Sequence, residues 1–363
     1  MKMKNNNKGI TLVALVITII ILLILAGITI ASLTQTGLFA AAQDAKTKTE
    51  EKTEEENTIL EEYEDAITEQ VTGKKPLKPL ETNKKYESKA ELKDANGNKI
   101  VVPAGFKIVS DATTNNATTV DQGIVIEDAT GTDTNGSQFV WIPVGDIKKA
   151  DGTTTSIALN RYSFDSNGVE TEYTSTNFFE EDKTNTTSLK NYGNTISENI
   201  NSFKTSVATN GGFYIGRYEA RKSSSGKLTT VKTDSVWNDI TQPNAATNSK
   251  NMYSTGVTSE LMNSYAWDTA TLFLQTFGEN NKYSRQNINT GILALNGTGN
   301  DKQCNVYDMA SNVYEWTTET YSSSGLSCTH RGGNYYYCKS TSYRGYHSAS
   351  DSSSYFGFRP LLF

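Results

Sequence analysis

Residue types that commonly carry enzyme chemistry are rare in this chain. It contains three cysteines and two histidines in 363 residues. Three cysteines are too few for a disulfide framework, and an odd number leaves at least one unpaired within the monomer. His330 and His347 give little material for a zinc site, and no serine lies in a nucleophile-elbow pattern. Two interpretations of Cys304, Cys328 and Cys338 stay open: a disulfide between two of them, or isolated buried thiols.

One segment near the C-terminus instead has the composition of a recognition surface. Residues 334–356 contain six tyrosines and seven serines among 23 positions. Tyrosine offers a large, rigid contact area, and serine offers adaptable hydrogen bonding, as in antibody combining sites. A polar loop on a rigid scaffold is a common place for ligand binding. We expect eight contact residues: Asn334, Tyr335, Tyr337, Tyr343, Tyr346, His347, Asp351 and Tyr355.

The overall composition limits the classes of partner. The formal net charge is −6, whereas a nucleic-acid partner would favour a basic face, so we expect no nucleic-acid binding. Hydrophobic residues make up 36% of the chain, which suffices for one core of moderate size. The abundance of Tyr, Thr, Ser and Asn is typical of a β-rich extracellular protein.

The first forty residues predict a membrane segment. No charged residue occurs between Lys8 and Asp44, and residues 10–30 as a helix would span about 31 Å, enough for a bilayer core of about 30 Å. The basic flank predicts a cytoplasmic N-terminus and an external C-terminus. Gly9 lies directly before the apolar stretch, an arrangement that resembles the leader of type IV prepilins. That resemblance implies cleavage after Gly9, so that the mature chain begins at Ile10.

The resemblance to pilins implies a bacterial surface protein with two kinds of partner, a prepilin peptidase and other pilin subunits. Ala14 stands where most pilins have a glutamate, which favours a minor or pilin-like subunit. Leu60, Tyr63 and Ile67 recur at helical spacing in an acidic segment and predict a stalk helix. A plain single-pass anchor is the alternative, and N-terminal sequencing distinguishes the two.

The remaining chain predicts a loop-rich head with short strands at 123–129, 138–147 and 211–220 and a helix at 259–278. Residues 148–210 are rich in Thr, Ser and Asn and read as an insertion or long loops. The predicted fold class is α+β, with a long N-terminal transmembrane and stalk helix followed by a loop-rich head. The predicted parts are a leader at 1–9, a hydrophobic helix at 10–43, an acidic stalk helix at 44–72, a linker at 73–97 and the head at 98–363.

Five motifs in the head carry a resemblance to a known family: FVWIPVG at 139–145, GGFYIGRYEA at 211–220, NVYDMASNVYEWT at 305–317, RGG at 331–333 and GFRP at 357–360. Their order resembles the formylglycine-generating-enzyme-like domain, also called the sulfatase-modifying-factor domain, which has a variant C-type lectin fold. The resemblance spans roughly residues 98–363. It implies a structural role for six residues: Trp316, Arg331, Gly332, Gly333, Gly357 and Arg359.

Catalytic members of that family oxidise a cysteine of a client protein with a copper-holding cysteine pair shortly after RGG. Tyr337 and Ser342 occupy those positions here, so we expect no copper and no enzyme activity. A shifted site that uses Cys328 and Cys338 is the enzymatic alternative. The family also holds calcium with an Asn and a Glu of the Asn-x-x-Glu-Trp element.

Asn312 and Glu315 match these two calcium ligands. Their oxygen atoms suit Ca²⁺, but the same side chains could simply stabilise local turns, and both interpretations stay open.

Residues 334–356 also resemble the variable segments of proteins that are diversified by retroelements, which share this fold and the RGG-to-GFR frame. Such diversification yields no Lys, Glu, Gln, Met or Trp, and Lys339 is the one exception in the segment. An ordinary polar lectin loop explains the composition equally well. We therefore predict a surface-displayed, pilin-like protein whose head binds an extracellular protein or glycan. The alternatives are a formylglycine-generating-type oxidase and a structural minor pilin without a ligand.

Overall fold

The computed structural model describes residues 15–26, 38–73, 76–110, 117–179, 200–321, 327–337 and 339–363. The chain forms two compact units, Met1–Pro76 and Leu77–Phe363. The second unit carries the strands and the candidate site, and it is called the head below. Helices and strands are numbered in chain order.

In the first unit, the described residues 15–26 are helical and are called α1, and Leu38–Thr72 forms helix α2. Helix α2 has 35 residues but is rich in Glu and Lys. No helix in the described residues is both long and apolar enough to cross a membrane, so the predicted fold with a transmembrane and stalk helix is wrong. Gly9, Ile10 and Ala14 lie outside the described residues.

The head is a mixed α/β unit built around an antiparallel sheet of six strands. The register pairs Tyr214 with Trp141 and Phe213 with Ile142. Because successive residues of a strand face opposite sides, the sheet contributes to two hydrophobic clusters, one on each face. Across the sheet the strands are β15 (Ser259–Leu261), β22 (Pro360–Leu362), β12 (Gly212–Gly216), β6 (Gln138–Pro143), β5 (Val125–Asp128) and β4 (Phe106–Val109).

Helix α5 (Ser264–Phe277) shares one of these clusters with the six-stranded sheet. The Asn263 side chain caps its first turn by accepting from the Ala266 N–H at 2.8 Å. The predicted helix at 259–278 is confirmed, but its first residues form β15 instead, because they pair with β22. The other helices of the described head are α3 (Ile200–Asn210) and α4 (Gln242–Lys250).

A second sheet of five strands brings three of the sequence motifs together. Glu315 lies opposite Arg331 on one side and opposite Gly357 on the other, so the Asn-x-x-Glu-Trp, RGG and GFRP motifs become neighbours. The pairing of residues 314–316 with residues 356–358 is parallel, and the other pairings are antiparallel. The strands are β11 (Phe178–Phe179), β18 (Tyr314–Tyr321), β19 (Ser327–Arg331), β20 (Arg344–Ser348) and β21 (Phe356–Phe358).

Eleven further strands in the described residues form one three-stranded sheet and four pairs. The three-stranded sheet contains β1 (Lys78–Pro79), β2 (Ala90–Lys93) and β3 (Lys99–Val102), and the pairs are β7 (Gly145–Lys148) with β8 (Thr154–Ile157), β9 (Tyr162–Phe164) with β10 (Glu170–Glu172), β13 (Arg221–Lys222) with β14 (Leu228–Thr229), and β16 (Lys302–Gln303) with β17 (Val306–Tyr307).

Two parts of the head contain more regular structure than the sequence predicted. The head begins near residue 77 rather than 98, because β2 pairs with β3 and buries Leu92. The segment 148–210 contains β8 to β11 and helix α3, whose Phe203 and Val207 are buried. A polar composition hid these elements, since a few well-spaced apolar residues are enough to attach a short helix to a core.

Candidate binding site

A buried ion-pair network fixes the RGG motif. The Arg331 guanidinium pairs with Asp268 of α5, and its Nε donates to the Tyr343 carbonyl at 2.9 Å. Arg344 pairs with the same carboxylate at 2.6 Å. Burial alone raises the pKa of Asp268, but the two guanidinium groups outweigh it and hold that pKa below its ordinary value. Gly332 has φ +80°, and a Cβ there would lie 2.5 Å from a backbone carbonyl oxygen, so only glycine fits.

A second buried ion pair fixes the GFRP motif. Arg359 Nη2 lies 2.7 Å from Glu315 Oε1, and the same guanidinium donates to two backbone carbonyls at 2.7 Å each. Trp316 is buried and donates its Nε1 hydrogen to a carbonyl at 2.9 Å. A Cβ on Gly357 would lie 2.6 Å from a valine methyl group, and one on Gly333 2.8 Å from a carbonyl oxygen. All six expected scaffold residues are therefore buried inside the frame.

Asn312 connects two loops instead of presenting a free oxygen to a metal. Its Oδ1 accepts from the Ala294 N–H at 2.9 Å, and its backbone carbonyl accepts from the Tyr335 N–H at 2.8 Å. Its Nδ2 donates to the buried Glu219. Glu315 is paired with an arginine. Both calcium candidates thus have their oxygens engaged, and no group of three or more His, Cys, Asp or Glu in the described chain is arranged to hold a metal. Calcium binding by Asn312 and Glu315 stays a prediction.

The segment between the RGG and GFRP motifs lines most of an open pocket of about 470 Å³. Strand β20 and the loops on either side of it supply most of its wall. Six of the eight predicted contact residues line it: Tyr337, Tyr343, Tyr346, His347, Asp351 and Tyr355. We call this cavity the tyrosine pocket. Its volume lies within the range of roughly 300–1,000 Å³ that small-molecule and side-chain sites occupy.

Asn334 and Tyr335, the other two predicted contact residues, do not line the pocket. Asn334 is fully buried, and its Oδ1 accepts from the Tyr336 N–H at 2.9 Å, so it orders the loop. The Tyr335 ring lies 5.3 Å from the Tyr355 ring, and its hydroxyl shares a 3.1 Å hydrogen bond with Ser354. Tyr335 therefore supports the pocket wall from behind.

Tyr314, His330 and Phe356 also line the pocket, and the sequence analysis missed all three. They lie on β18, β19 and β21, three neighbouring strands. Burial lowers the pKa of His330 to about 3, so its imidazole is neutral at physiological pH. Its Nδ1 has no hydrogen-bond partner in the described structure. The scarcity of histidine was one available sequence signal. The chain has only two histidines, and both line this pocket.

The exposed part of the pocket combines aromatic faces with a few polar groups. His347 Nδ1 lies 3.1 Å from Asp351 Oδ2, and the Lys339 ammonium lies 5.1 Å from the Tyr343 ring centre. The Tyr346 ring stacks on Tyr321 with a centroid distance of 3.6 Å. The pocket therefore offers flat apolar surfaces with hydroxyl, imidazole and carboxylate groups at their edges, a combination suited to recognition.

The cysteine chemistry of the resembled family finds no counterpart in the described residues. Cys304 and Cys328 are free thiols, and burial raises the pKa of each to about 12, so neither is a reactive thiolate. Cys338 lies outside the described residues. Tyr337 lines the pocket where the family has one copper ligand, and Ser342 lies partly buried at the position of the other.

A family model described as the sulfatase-modifying factor enzyme 1-like domain matches residues 241–361, about a third of the chain. The match includes the RGG and GFRP motifs and the whole tyrosine pocket. The predicted resemblance to this domain is thereby confirmed for these residues. A search of curated protein sequences finds no relative.

Three solved structures show a distant similarity to the chain. PvdO from Pseudomonas aeruginosa is 12% identical, with a TM-score of 0.37 over 64% of this chain and 95% of its own. The variable protein 1 of Treponema denticola is 10% identical, with a TM-score of 0.36 over 63% and 97%. CarF is 14% identical, with a TM-score of 0.30 over 41% and 85%. Similarities at this level identify neither a ligand nor an activity.

Proposed function

We propose that the head is a binding module that takes an extracellular protein or glycan in the tyrosine pocket. The observation that carries the proposal is that six of the eight residues predicted from composition and from the RGG-to-GFRP frame line one cavity of about 470 Å³. They come from two loops and a strand, and the ion pairs of Arg331 and Arg359 fix both ends of the segment. Rigid ends with a tyrosine-rich interior are typical of recognition surfaces.

The tyrosine rings supply the free energy of ligand binding in this proposal. Each ring contributes a large contact area and has few rotamers to lose on binding. Tyr337 and Tyr346 are each 48% exposed in the structure, so a ligand can still bury much of their surface. The Tyr337 and Tyr355 rings pack against each other with their centres 5.4 Å apart. This contact holds the two rings in place before any ligand arrives and lowers the entropic cost of binding.

A screen of the full-length protein against glycans and cell-surface proteins tests this proposal. The double variant Tyr337→Ala, Tyr355→Ala should lose binding to the selected ligand while remaining folded. Tyr63→Ala is the matched control, because Tyr63 is 67% exposed and lies in the first unit. A ligand that binds the double variant as tightly as the wild type would contradict the proposal.

The family match at 241–361 favours one other function, oxidation of a cysteine in a client protein. The buried thiol of Cys328 weighs against it, because copper(I) requires accessible thiolates. Incubation of the purified protein with copper and a cysteine-containing peptide should leave the peptide unchanged. Formation of a peptide aldehyde would establish the enzyme instead.

The proposed route to the cell surface rests on the sequence alone. We propose that a prepilin peptidase cleaves after Gly9 and that the protein then associates with other pilin subunits. N-terminal sequencing of the mature protein should find Ile10 first, and Met1 or a residue beyond 25 would contradict this.

Diversification of residues 334–356 is a separate proposal. It requires a near-copy of their coding segment that differs at adenines, together with a neighbouring reverse transcriptase gene. Absence of both would reject diversification and leave the binding proposal intact.

A further inference from the structure

The exposed hydrophobic side chains of the head concentrate at one place. In the part of the head that the structure describes, seven large hydrophobic residues are exposed, and six of them belong to two segments. Tyr336, Tyr337 and Tyr346 belong to the segment around the tyrosine pocket. The others are Ile292, Leu293 and Leu295, with 72%, 39% and 48% exposure, and nothing in the sequence analysis pointed to them.

Hydrogen bonds join the two segments side by side. The Gly291 N–H donates to the Tyr335 carbonyl at 2.8 Å. Asn312 binds both segments, because its side-chain oxygen accepts from the Ala294 N–H and its backbone carbonyl accepts from the Tyr335 N–H. Ile292 and its neighbours therefore lie next to the tyrosine-rich loop, and the two form one continuous surface.

The loop that carries the aliphatic side chains is held firmly. The N–H groups of Ile288 and Asn296 donate to backbone carbonyls at 3.1 and 2.9 Å, and the Gly297 N–H donates to Asp308 Oδ2 at 2.9 Å. With its backbone fixed in this way, the loop holds its aliphatic side chains out in water. A partner that covers them gains hydrophobic stabilisation without first having to order the loop.

The charge distribution indicates what such a partner looks like. Residues 286–300 contain no charged residue, and neither do residues 332–337. The centre of a protein–protein interface is likewise depleted of charge and enriched in aromatic side chains. Exposed apolar surface of this kind marks an interaction site, and a glycan bound inside the pocket would leave the aliphatic residues uncovered.

We propose that Ile292, Leu293, Leu295, Tyr336 and Tyr337 form a docking face for a protein partner whose contacting side chains are apolar and uncharged. This inference rests on the proposed binding function and specifies its partner class as a protein. The docking face extends the tyrosine pocket by a segment outside residues 334–356, so the tyrosine-rich stretch does not carry the recognition alone.

A phage-displayed library of random dodecapeptides, selected on the full-length protein, tests the inference. Enriched peptides should be rich in apolar and aromatic residues and should bind equally well between about 0.1 M and about 0.5 M salt. The double variant Ile292→Ser, Leu295→Ser should weaken their binding by about tenfold or more. Val169→Ser is the matched control, because Val169 is the seventh exposed residue, with 55% exposure, and lies outside the docking face.

The outcomes separate the inference from the proposed function. Peptides that lose binding to Tyr337→Ala but not to the loop double variant would overturn the docking face and leave the pocket intact. Peptides insensitive to both changes would contradict both. Charged peptides with salt-dependent binding, or a library without any enriched peptide, would likewise overturn the inference. Circular dichroism of each variant confirms that the exposed substitutions leave the fold unchanged.

Discussion

Replacement of Asn312 by glycine tests whether this residue stabilises the binding face through hydrogen bonds rather than through a metal. Asn312 has φ +61°, a conformation that glycine adopts without strain, so Asn312→Gly removes the side chain and little else. The change leaves the Ala294 N–H without its partner and removes one of two hydrogen bonds to the buried Glu219 carboxyl, which keeps the one from the Val313 N–H. Each unsatisfied group costs about 1–3 kcal/mol, so the free energy of unfolding should fall by about 3 kcal/mol.

Asn83→Gly is the matched control for this experiment. Asn83 has φ +60°, and its exposed side chain makes two long hydrogen bonds to the Ser110 backbone, at 3.3 and 3.5 Å, so its replacement should cost less than about 1 kcal/mol. Thermal unfolding of the full-length variants measures the difference. For a unit of this size the Asn312→Gly midpoint should lie about 5 °C below the wild type.

Both variants should be measured with calcium and with a chelator. The loss of unfolding free energy in Asn312→Gly should be the same with calcium and with the chelator. Equal midpoints for Asn312→Gly and Asn83→Gly would refute the hydrogen-bonding role. A wild-type protein that calcium stabilises, together with a variant that it does not, would show that Asn312 holds the metal after all.

Three further changes test the buried groups around the site. Burial raises the pKa of Asp308 to about 7, so the folded protein keeps a proton that the unfolded chain releases, and the contribution of Asp308 to stability falls between about pH 4 and pH 7; Asp308→Asn should remove this loss and stabilise the protein at pH 8 by about 4 kcal/mol in urea titrations. Burial lowers the pKa of His330 to about 3, so stability also falls as the pH drops from about 6.5 towards 3, and a stability curve of His330→Phe should be flatter there; an unchanged slope would contradict the buried neutral imidazole. Gly332→Ala should cost more than about 2 kcal/mol because its Cβ meets a carbonyl oxygen, whereas Gly152→Ala, at φ +81° with open space around it, should cost about 1 kcal/mol, and equal costs would show that the enclosure of Gly332 is unimportant.

Local patterns predicted much of the head, because they report local forces. The run QFVWIP forms β6, and the apolar spacing at 259–278 forms most of α5. The arginines and glycines of RGG and GFRP mark positions where only one residue type fits, and such positions are visible in a sequence. The prediction from the N-terminal apolar run was wrong, because no helix in the described residues is long and apolar enough to cross a membrane.

The composition of the pocket was predictable, but its geometry was not. Asn334 belongs to the polar segment, yet its side chain turns inward to order the backbone, a choice that composition does not reveal. His330 and Tyr314 reach the pocket because β18 and β19 pair across the sheet, and such contacts depend on register. The aliphatic loop at 288–296 joins the site through hydrogen bonds to Tyr335 and Asn312, residues that are distant in sequence.

The dissociation constant of the ligand found by the glycan and protein screen tests the central claim most directly. It should be measured for the full-length wild type, for Tyr337→Ala, Tyr355→Ala and for the surface control Tyr63→Ala, with thermal unfolding as a check on folding. The account predicts a loss of about tenfold or more for the pocket variant and none for the control. Equal dissociation constants for all three proteins would contradict it.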